Sequence, residues 1–241
     1  MVYAVILAGG LGTRMKSSRL PKQFLTLGKE TILSLTVDKF LVCPKIDHVI
    51  VAAPSIWISH TRDLLKESRF ANVKICEGGV TRQESLYFAL KFIEKEFVIS
   101  DSDIIVSHDV SRPFISLRII EENIQMLDRF DACDTVISAT DTIVMSKDGI
   151  KLDKIPNRSI MYRGQTPQSF RRVHYKQAYE NLDAEYLENV SDAARILLEQ
   201  GYSVGIVYGD ESNIKITNEF DFKIANFLVN DGNDKASNPA R

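Results

Sequence analysis

Leu7-Ala8-Gly9-Gly10-Leu11-Gly12-Thr13-Arg14-Met15, with Pro21-Lys22-Gln23-Phe24 shortly after it, is the stretch around which the remaining sequence is organised. It follows an apolar run over residues 2–7 that carries the valine, tyrosine and isoleucine of a buried strand. Gly9, Gly10 and Gly12 can take positive φ and let an anion approach the main chain, so that successive N–H groups line a phosphate site at the strand's end. Arg14 and Lys22 add fixed positive charge beside that loop, as attack on a triphosphate requires. Glycine spacing by itself also fits a plain strand-to-helix turn with two surface cations. Thr13-Arg14 stands where a Walker loop needs Lys-Ser or Lys-Thr, which argues against a kinase-type P-loop.

The chain has 241 residues, 44% of them hydrophobic, enough to bury one full α/β core or at most two small ones. A formal net charge of −2 offers no broad attraction for nucleic acid or an anionic membrane, so small anions bound locally are the expected partners. Cys43, Cys76 and Cys133 are odd in number, widely spaced and set among apolar residues. They predict reduced core thiols in a reducing compartment rather than a disulfide frame or a zinc site. The sequence opens on a strand without a charged leader, and no apolar run approaches roughly 20 residues. The expectation is a cytoplasmic protein that neither spans nor binds a membrane.

Strand-like and helix-like segments alternate along the chain. Residues 32–40 carry apolar side chains at helical intervals, 48–53 form a β-branched strand, 57–68 read as a helix, and 73–76 as a short strand ending at Gly78-Gly79. Residues 85–96 are amphipathic, with Leu86, Leu90 and Ile93 on one face, and 104–106 are again a buried strand. This repetition predicts a mostly parallel sheet covered by helices. Its ligand crevice lies at the carboxyl ends of the strands, where the suspected functional loops all fall.

One such loop is Ser107-His108-Asp109-Val110-Ser111-Arg112-Pro113-Phe114. A carboxylate at a strand end, opposite a phosphate loop, is placed to hold a divalent cation, and hard oxygen ligands suit Mg²⁺, which makes Asp109 the metal candidate. As plain structure, Asp109 caps the following turn and pairs with Arg112. His108 stands in no nucleophile or metal-ligand pattern and reads as a hydrogen-bonded structural histidine. In Gly78-Gly79-Val80-Thr81-Arg82-Gln83-Glu84-Ser85, the two glycines bring backbone close to something flat, and Ser85 near a helix start can bond a base edge. Loop punctuation and helix capping explain the same residues.

After Asp134 the pattern changes. Residues 135–139 read as a strand, and Asp141-Thr142-Ile143-Val144-Met145 and Ile150-Lys151-Leu152 flank Ser146-Lys147-Asp148-Gly149, a hairpin signal. Two isolated strands are marginal in water, so this arm is expected to dock on another subunit. Further on, Thr166 is expected in a rigid turn fixed by Pro167, while Arg158 offers either a two-pronged phosphate contact or a surface ion pair. Residues 173–181 and 191–200 read as helices, the second capped by Ser191 or Asp192 and stopped by Gly201. A strand over 204–208 leads to Asn213-Ile214-Lys215-Ile216-Thr217, from which Lys215 can reach a phosphate across the crevice. Residues 220–229 close the fold as a helix, and the polar tail 230–241 is expected to be disordered.

G-G-x-G-x-R-M, P-K-Q-F, H-D-x-x-R-P-F, Q-T-P-Q-x-F and N-I-K-I-T occur in this order through most of the chain. In this the chain resembles the bacterial cytidylyltransferases that make CDP-methylerythritol and CDP-ribitol. The resemblance implies one domain over residues 1–229, an α/β, Rossmann-like nucleotidyltransferase fold with a mostly parallel central sheet, and a projecting β-arm at about 140–160 for dimerisation. Leu7-Ala8-Gly9-Gly10, Asp141-Thr142-Ile143-Val144, Arg163-Gly164-Gln165-Thr166-Pro167-Gln168 and Ser191-Asp192-Ala193-Ala194 look more like the branch acting on ribitol 5-phosphate than the methylerythritol branch.

Carried over residue by residue, the resemblance implies that Leu7, Ala8, Gly9, Gly10, Leu11 and Gly12 hold the CTP triphosphate with Arg14 and Lys22. Gly79, Val80 and Ser85 would lie near cytosine, Asp109 near Mg²⁺ and ribose, and Lys215 on the reacting phosphates. Arg14, Lys22 and Lys215 would be the catalytic cations. Arg112, Thr142, Arg158 and Thr166 would surround the polyol phosphate, with Thr142 and Arg158 supplied by a partner's arm, so that a homodimer is part of the mechanism. Val110-Ser111 departs from the family pattern, where Gly-Ala or Ala-Val is more usual, and leaves the charges intact.

Overall fold

Strand β1 (Val2–Leu7) turns alternate side chains into two apolar layers, Ala4 and Ile6 into one and Tyr3 and Val5 into the other, as a period of two requires of a strand covered on both faces. The computed structural model describes residues 1–10, 20–190 and 192–237. After β1 come a short antiparallel pair, β2 (Thr26–Leu27) and β3 (Glu30–Thr31), then α1 (Ile32–Leu41), β4 (His48–Ala53), α2 (Ile58–Leu64), β5 (Lys74–Glu77), α3 (Arg82–Glu96), β6 (Ile104–Asp109) and α4 (Leu117–Met126). The second half adds β7 (Ala132–Ser138), β8 (Tyr162–Arg171), α5 (Arg172–Glu180), α6 (Ala184–Asn189), α7 (Ala193–Glu199), β9 (Val204–Tyr208) and α8 (Glu219–Ser237).

The central sheet has the order β5-β4-β1-β6-β8-β7-β9, and among its described strands β8 alone runs against the others. Helices α1 and α4 bury Phe40 and Ile119 on one face, with Leu65 just past the end of α2, and α3, α5 and α7 bury Leu90, Tyr175 and Leu197 on the other. This is the expected α/β fold with a mostly parallel sheet. All three cysteines are free and buried, and burial pushes the thiols of Cys76 and Cys133 up to about 12, so they behave as core apolar groups.

Four local expectations need correction. The helix expected over 57–68 ends at Leu64, in a tightened turn where Leu65 N–H donates to both Thr61 and Arg62 carbonyls at 3.1 and 3.2 Å. The arm is not a hairpin ladder: one isolated antiparallel bridge joins Met145 to Lys154. Val144, Met145, Ile150 and Leu152 are all exposed, so a ladder there would have no apolar surface to pack on. Thr166 lies inside β8 rather than in a turn. The β7–β8 register shifts between Asp134 and Val136, opposite Thr166-Pro167, and a proline's missing N–H is tolerated at such a bulge. Finally, α8 continues through residues 230–237 of the expected disordered tail, and Pro239, two positions further on, is the first strong stop signal in the sequence.

Candidate active site

A cleft of about 400 Å³ opens at the carboxyl ends of β1 and β6, which lie side by side in the sheet. Its wall contains Leu7, Gly9, Gly10, Lys22, Asp109 and Lys215, and its rim contains Gly79, Val80 and Ser85. Nine of the residues singled out in the sequence therefore meet in one place. Ala8 is the exception within the described glycine loop. It is buried, its N–H donates to Ala52 O at 2.9 Å, and its carbonyl accepts from Gln23 Nε2 at 2.8 Å, so its main chain faces inward. Leu11, Gly12 and Arg14 lie outside the described residues.

P-K-Q-F divides its work residue by residue. Pro21 precedes a helical turn over Lys22–Phe24, Gln23 ties that turn to the glycine loop, and Phe24 enters the core. Lys22 is buried to 9% exposure and donates to Ile216 O at 2.8 Å, which couples the glycine loop to N-I-K-I-T. Ile216 N–H in turn donates to Ser111 O at 2.9 Å, fixing that segment on the loop after β6. Lys215, next to this doubly anchored residue, donates from Nζ to Asp109 Oδ2 at 2.7 Å.

Asp109, the last residue of β6, is the electrostatic centre. Arg82 Nε donates to its Oδ1 at 3.0 Å, so each carboxylate oxygen has a cationic partner. Burial pushes this carboxyl up, but Arg82, Lys215 and Arg112 together outweigh it and hold the group well below the usual carboxylate range. Three cations, Arg82, Arg112 and Lys215, thus act on one carboxylate, and Lys22 lines the same cleft, a local cationic concentration in a chain of net charge −2. Among the described residues there is no group of three or more His, Cys, Asp or Glu side chains able to hold a metal ion.

His108 is fully buried, and burial lowers it to about 4. Its Nε2 lies 3.1 Å from Arg112 O and its Nδ1 3.0 Å from Thr166 Oγ1. A carbonyl only accepts, so Nε2 carries the proton and Nδ1 accepts from the threonine hydroxyl. Thr166 Oγ1 also accepts from Asp109 N–H at 3.1 Å. The expectation of a structural histidine is met. Thr166 is buried, and its hydroxyl, engaged by both His108 and the Asp109 N–H, positions Asp109. Arg112 is 8% exposed and donates from Nη1 to Asn213 O at 2.7 Å, while exposed Thr142 and Arg158 do not line the cleft of their own chain.

Arg82 is a functional residue of its loop that the sequence reading does not single out. A cation in the first turn of a helix opposes the helix dipole, and that local conflict is the signal that marks it. Thr81 caps α3 by accepting from Glu84 N–H at 3.1 Å, and the Glu84 carboxylate accepts from Val80 N–H at 2.6 Å. A Cβ on Gly79 would fall 2.3 Å from Glu84 Cγ, so a side chain there would displace Glu84 from its bond to Val80. Ser85 Oγ donates to Thr81 O at 2.8 Å and stands within the first turn of the helix.

Sequence reasoning also passed over Asp134, which accepts from Gln168 Nε2 at 3.0 Å while the same amide nitrogen donates to Asp192 Oδ2 at 2.8 Å. Asp134 is pushed up to about 7, by burial first and by the charge of Asp192 next, against the opposing pull of Gln168 and Arg82. An acid raised from 3.8 binds a proton on folding, so its contribution to stability falls as pH rises from about 4 to about 7 and is level above that. Asp134→Asn removes this dependence. Its melting temperature relative to the parent is expected to be higher at pH 8 than at pH 5, and thermal unfolding with an equal offset at both would contradict the assignment.

A helix-covered, mostly parallel sheet with a cationic, glycine-walled cleft at its strand ends suits a nucleotidyltransferase. The chain belongs to the family described as IspD, 2-C-methyl-D-erythritol 4-phosphate cytidylyltransferase, whose model matches residues 2–231. It is accordingly a cytidylyltransferase, an enzyme of the EC 2.7.7 type. It is similar to the crystal structure of the 4-diphosphocytidyl-2C-methyl-D-erythritol synthase of Anaerococcus prevotii, with a TM-score of 0.79, 28% identity, and 95% of this chain and 96% of that one covered. The 2-C-methyl-D-erythritol 4-phosphate cytidylyltransferase of Francisella tularensis gives 0.77 and 28% over 94% and 98%, and that of Thermus thermophilus 0.72 and 26% over 95% and 100%. Among the described residues no helix is long and apolar enough to cross a membrane.

Proposed function

We propose that this enzyme transfers CMP from CTP to D-ribitol 5-phosphate, giving CDP-ribitol and pyrophosphate. A phosphate oxygen of the acceptor attacks the α-phosphorus in line, a new phosphorus–oxygen bond forms, and the bond to the β-phosphate breaks with pyrophosphate carrying away the electron pair. The acceptor phosphate is already ionised near neutral pH, so no general base is needed. A buried His108 of low basicity agrees with that.

In this reading Gly9 and Gly10 offer main chain to the triphosphate, Gly79, Val80 and Ser85 approach cytosine, and Lys22, Lys215 and Arg14 balance charge building on the transferring group and the leaving pyrophosphate. The observation that carries it is the Asp109 centre, which presents Lys215 and Arg82 on two sides of a single carboxylate at the end of β6. Arg112 would meet the acceptor phosphate. On this reading Asp109 would be the one carboxylate offered to a Mg²⁺ ion brought in with the triphosphate, and the ion would supply withdrawal of charge from the phosphates. The arm from about 140 to 160, with its exposed apolar side chains, would dock on a second copy and bring Thr142 and Arg158 to that copy's cleft.

A second reading takes 2-C-methyl-D-erythritol 4-phosphate as acceptor, and the family description and the names of the similar structures support it more directly. The ribitol reading rests on residues of this chain, chiefly Leu7 to Gly10, Asp141 to Val144 and Ser191 to Ala194. Pyrophosphate release with CTP, Mg²⁺ and each acceptor in turn separates them. A kcat/KM at least tenfold higher for D-ribitol 5-phosphate, about 1.4 kcal/mol of discrimination, is expected. The reverse preference would replace it with the second reading. Sedimentation of the same preparation is expected to give a dimer, and a monomer at working concentration would remove the arm from the site.

A further inference from the structure

Behind Asp109, on the face of the sheet covered by α3 and α7, lies a set of polar groups that the transfer chemistry does not use. The strand register puts Ser107 of β6 opposite Gln168 of β8, and Gln168 opposite Asp134 of β7. Asp109 follows Ser107 by two residues and so points to the same side. The row from β6 to β7 spans two strand spacings, roughly 10 Å, and begins at the reacting centre.

This row is incompletely satisfied from within. Ser107 is fully buried and its Oγ has no hydrogen-bond partner, and Arg82 Nη1 and Nη2 are buried and unpartnered although Nε is held by Asp109. Arg112, with 8% exposure, has an unpartnered Nε, while its Nη2 reaches Gly164 O at 3.4 Å. Gly164 is exposed, and among the described residues other than its chain neighbours the one atom within 4 Å of where a Cβ would stand is Asp134 Oδ2, at 3.8 Å. The Cβ side of Gly164 therefore faces the Asp134 carboxylate, while Arg112 meets the same residue at its carbonyl. Unpaired buried donors next to an open carboxylate are costly unless a polar ligand completes them.

We propose that Asp134 is an acceptor-binding residue that reads the hydroxyl-bearing carbon chain of the polyol phosphate, with Gln168, itself tied to Asp192, holding its carboxyl in place. The proposal rests on the reading of the acceptor as a polyol phosphate whose phosphate lies at Arg112. A chain running from that phosphate past Gly164 brings its hydroxyls to Asp134 Oδ2. Asp192 serves this arrangement indirectly: Oδ1 caps α7 by accepting from Ala194 N–H at 2.9 Å, which leaves Oδ2 to orient the Gln168 amide. The raised affinity of Asp134 for a proton suits a group that meets hydroxyls, since either protonation state can bond them. Such a residue sets specificity, because a site built to bond a substrate hydroxyl discriminates strongly against a chain that lacks one there.

Two variants test it. Asp134→Asn keeps size and removes charge. Gly164→Ala adds a methyl at ordinary contact distance from Oδ2, on a backbone that does not need glycine's freedom. Steady-state kinetics with CTP and D-ribitol 5-phosphate are expected to show the KM for the acceptor rising tenfold or more in Asp134→Asn and at least threefold in Gly164→Ala, with the KM for CTP within twofold of the parent. The preference over 2-C-methyl-D-erythritol 4-phosphate is expected to shrink by the same factor. Unchanged acceptor KM and preference in both variants would overturn the proposal. A lowered melting temperature with unchanged acceptor KM would overturn it equally and leave the cluster a structural one. If the parent enzyme does not use D-ribitol 5-phosphate, the reading of the acceptor fails instead. The same variants assayed with the acceptor that it does use then decide the role of Asp134 separately.

Discussion

Lys215→Ala is expected to lower kcat by roughly tenfold to a thousandfold at saturating CTP and acceptor, measured as pyrophosphate release, which is the scale of losing one preorganised donor from a transition state. Lys215 has a side chain 41% exposed and its one described partner is Asp109, so its removal should cost the fold little and the loss should appear in the rate. Lys22→Ala is expected to fall in the same range, but Lys22 is buried and holds Ile216 O, so part of its effect would be a displaced N-I-K-I-T segment. Lys215 is the cleaner test. Near-parental kcat in both variants would contradict their assignment to the transferring phosphates.

The second large effect is expected at Asp109. Asp109→Asn leaves Arg82, Arg112 and Lys215 facing one another without their common counter-charge, and breaking a buried ion pair from one side costs about 3–5 kcal/mol. Because its folded-state pKa is depressed, the parental carboxylate contributes stability that is fully present above its unfolded value and is lost as pH falls through the folded one. The denaturant midpoint of Asp109→Asn should therefore lie well below that of the parent at pH 7, with the gap closing in strong acid. Turnover should fall with it, since Arg82 and Lys215 lose the group that aims them. Equal midpoints at pH 7 would show that the cationic cluster does not depend on Asp109.

The elements around the cleft were legible because their residues answer to simple periods. His48–Ala53 and Val204–Tyr208 match the strands read from the sequence, and apolar spacing gives α1 to within one residue at its end. The site loops were legible because glycine, lysine and aspartate stood where strands stop. What escaped depended on partners distant in sequence. Thr166 looked like a turn residue because Pro167 is a strong local signal, and only the bulge at Asp134 makes a proline acceptable inside β8. The arm looked like a hairpin because Asp148-Gly149 is a strong turn signal, while the apolar surface that a ladder needs is not supplied by the arm's own chain. Arg82 and Asp134 stay hidden for the same reason. One acts through Asp109, 27 positions away, and the other through Gln168, 34 positions away. Neither pairing has a periodic trace.

The most direct measurement is a competition in one tube, with CTP, Mg²⁺ and equal concentrations of D-ribitol 5-phosphate and 2-C-methyl-D-erythritol 4-phosphate, the two CDP products being separated by mass at low conversion. Their initial ratio reads the ratio of kcat/KM values without assumptions about either KM. The account predicts CDP-ribitol in at least tenfold excess. An excess of the methylerythritol product would contradict it and assign the enzyme the acceptor named by its family description.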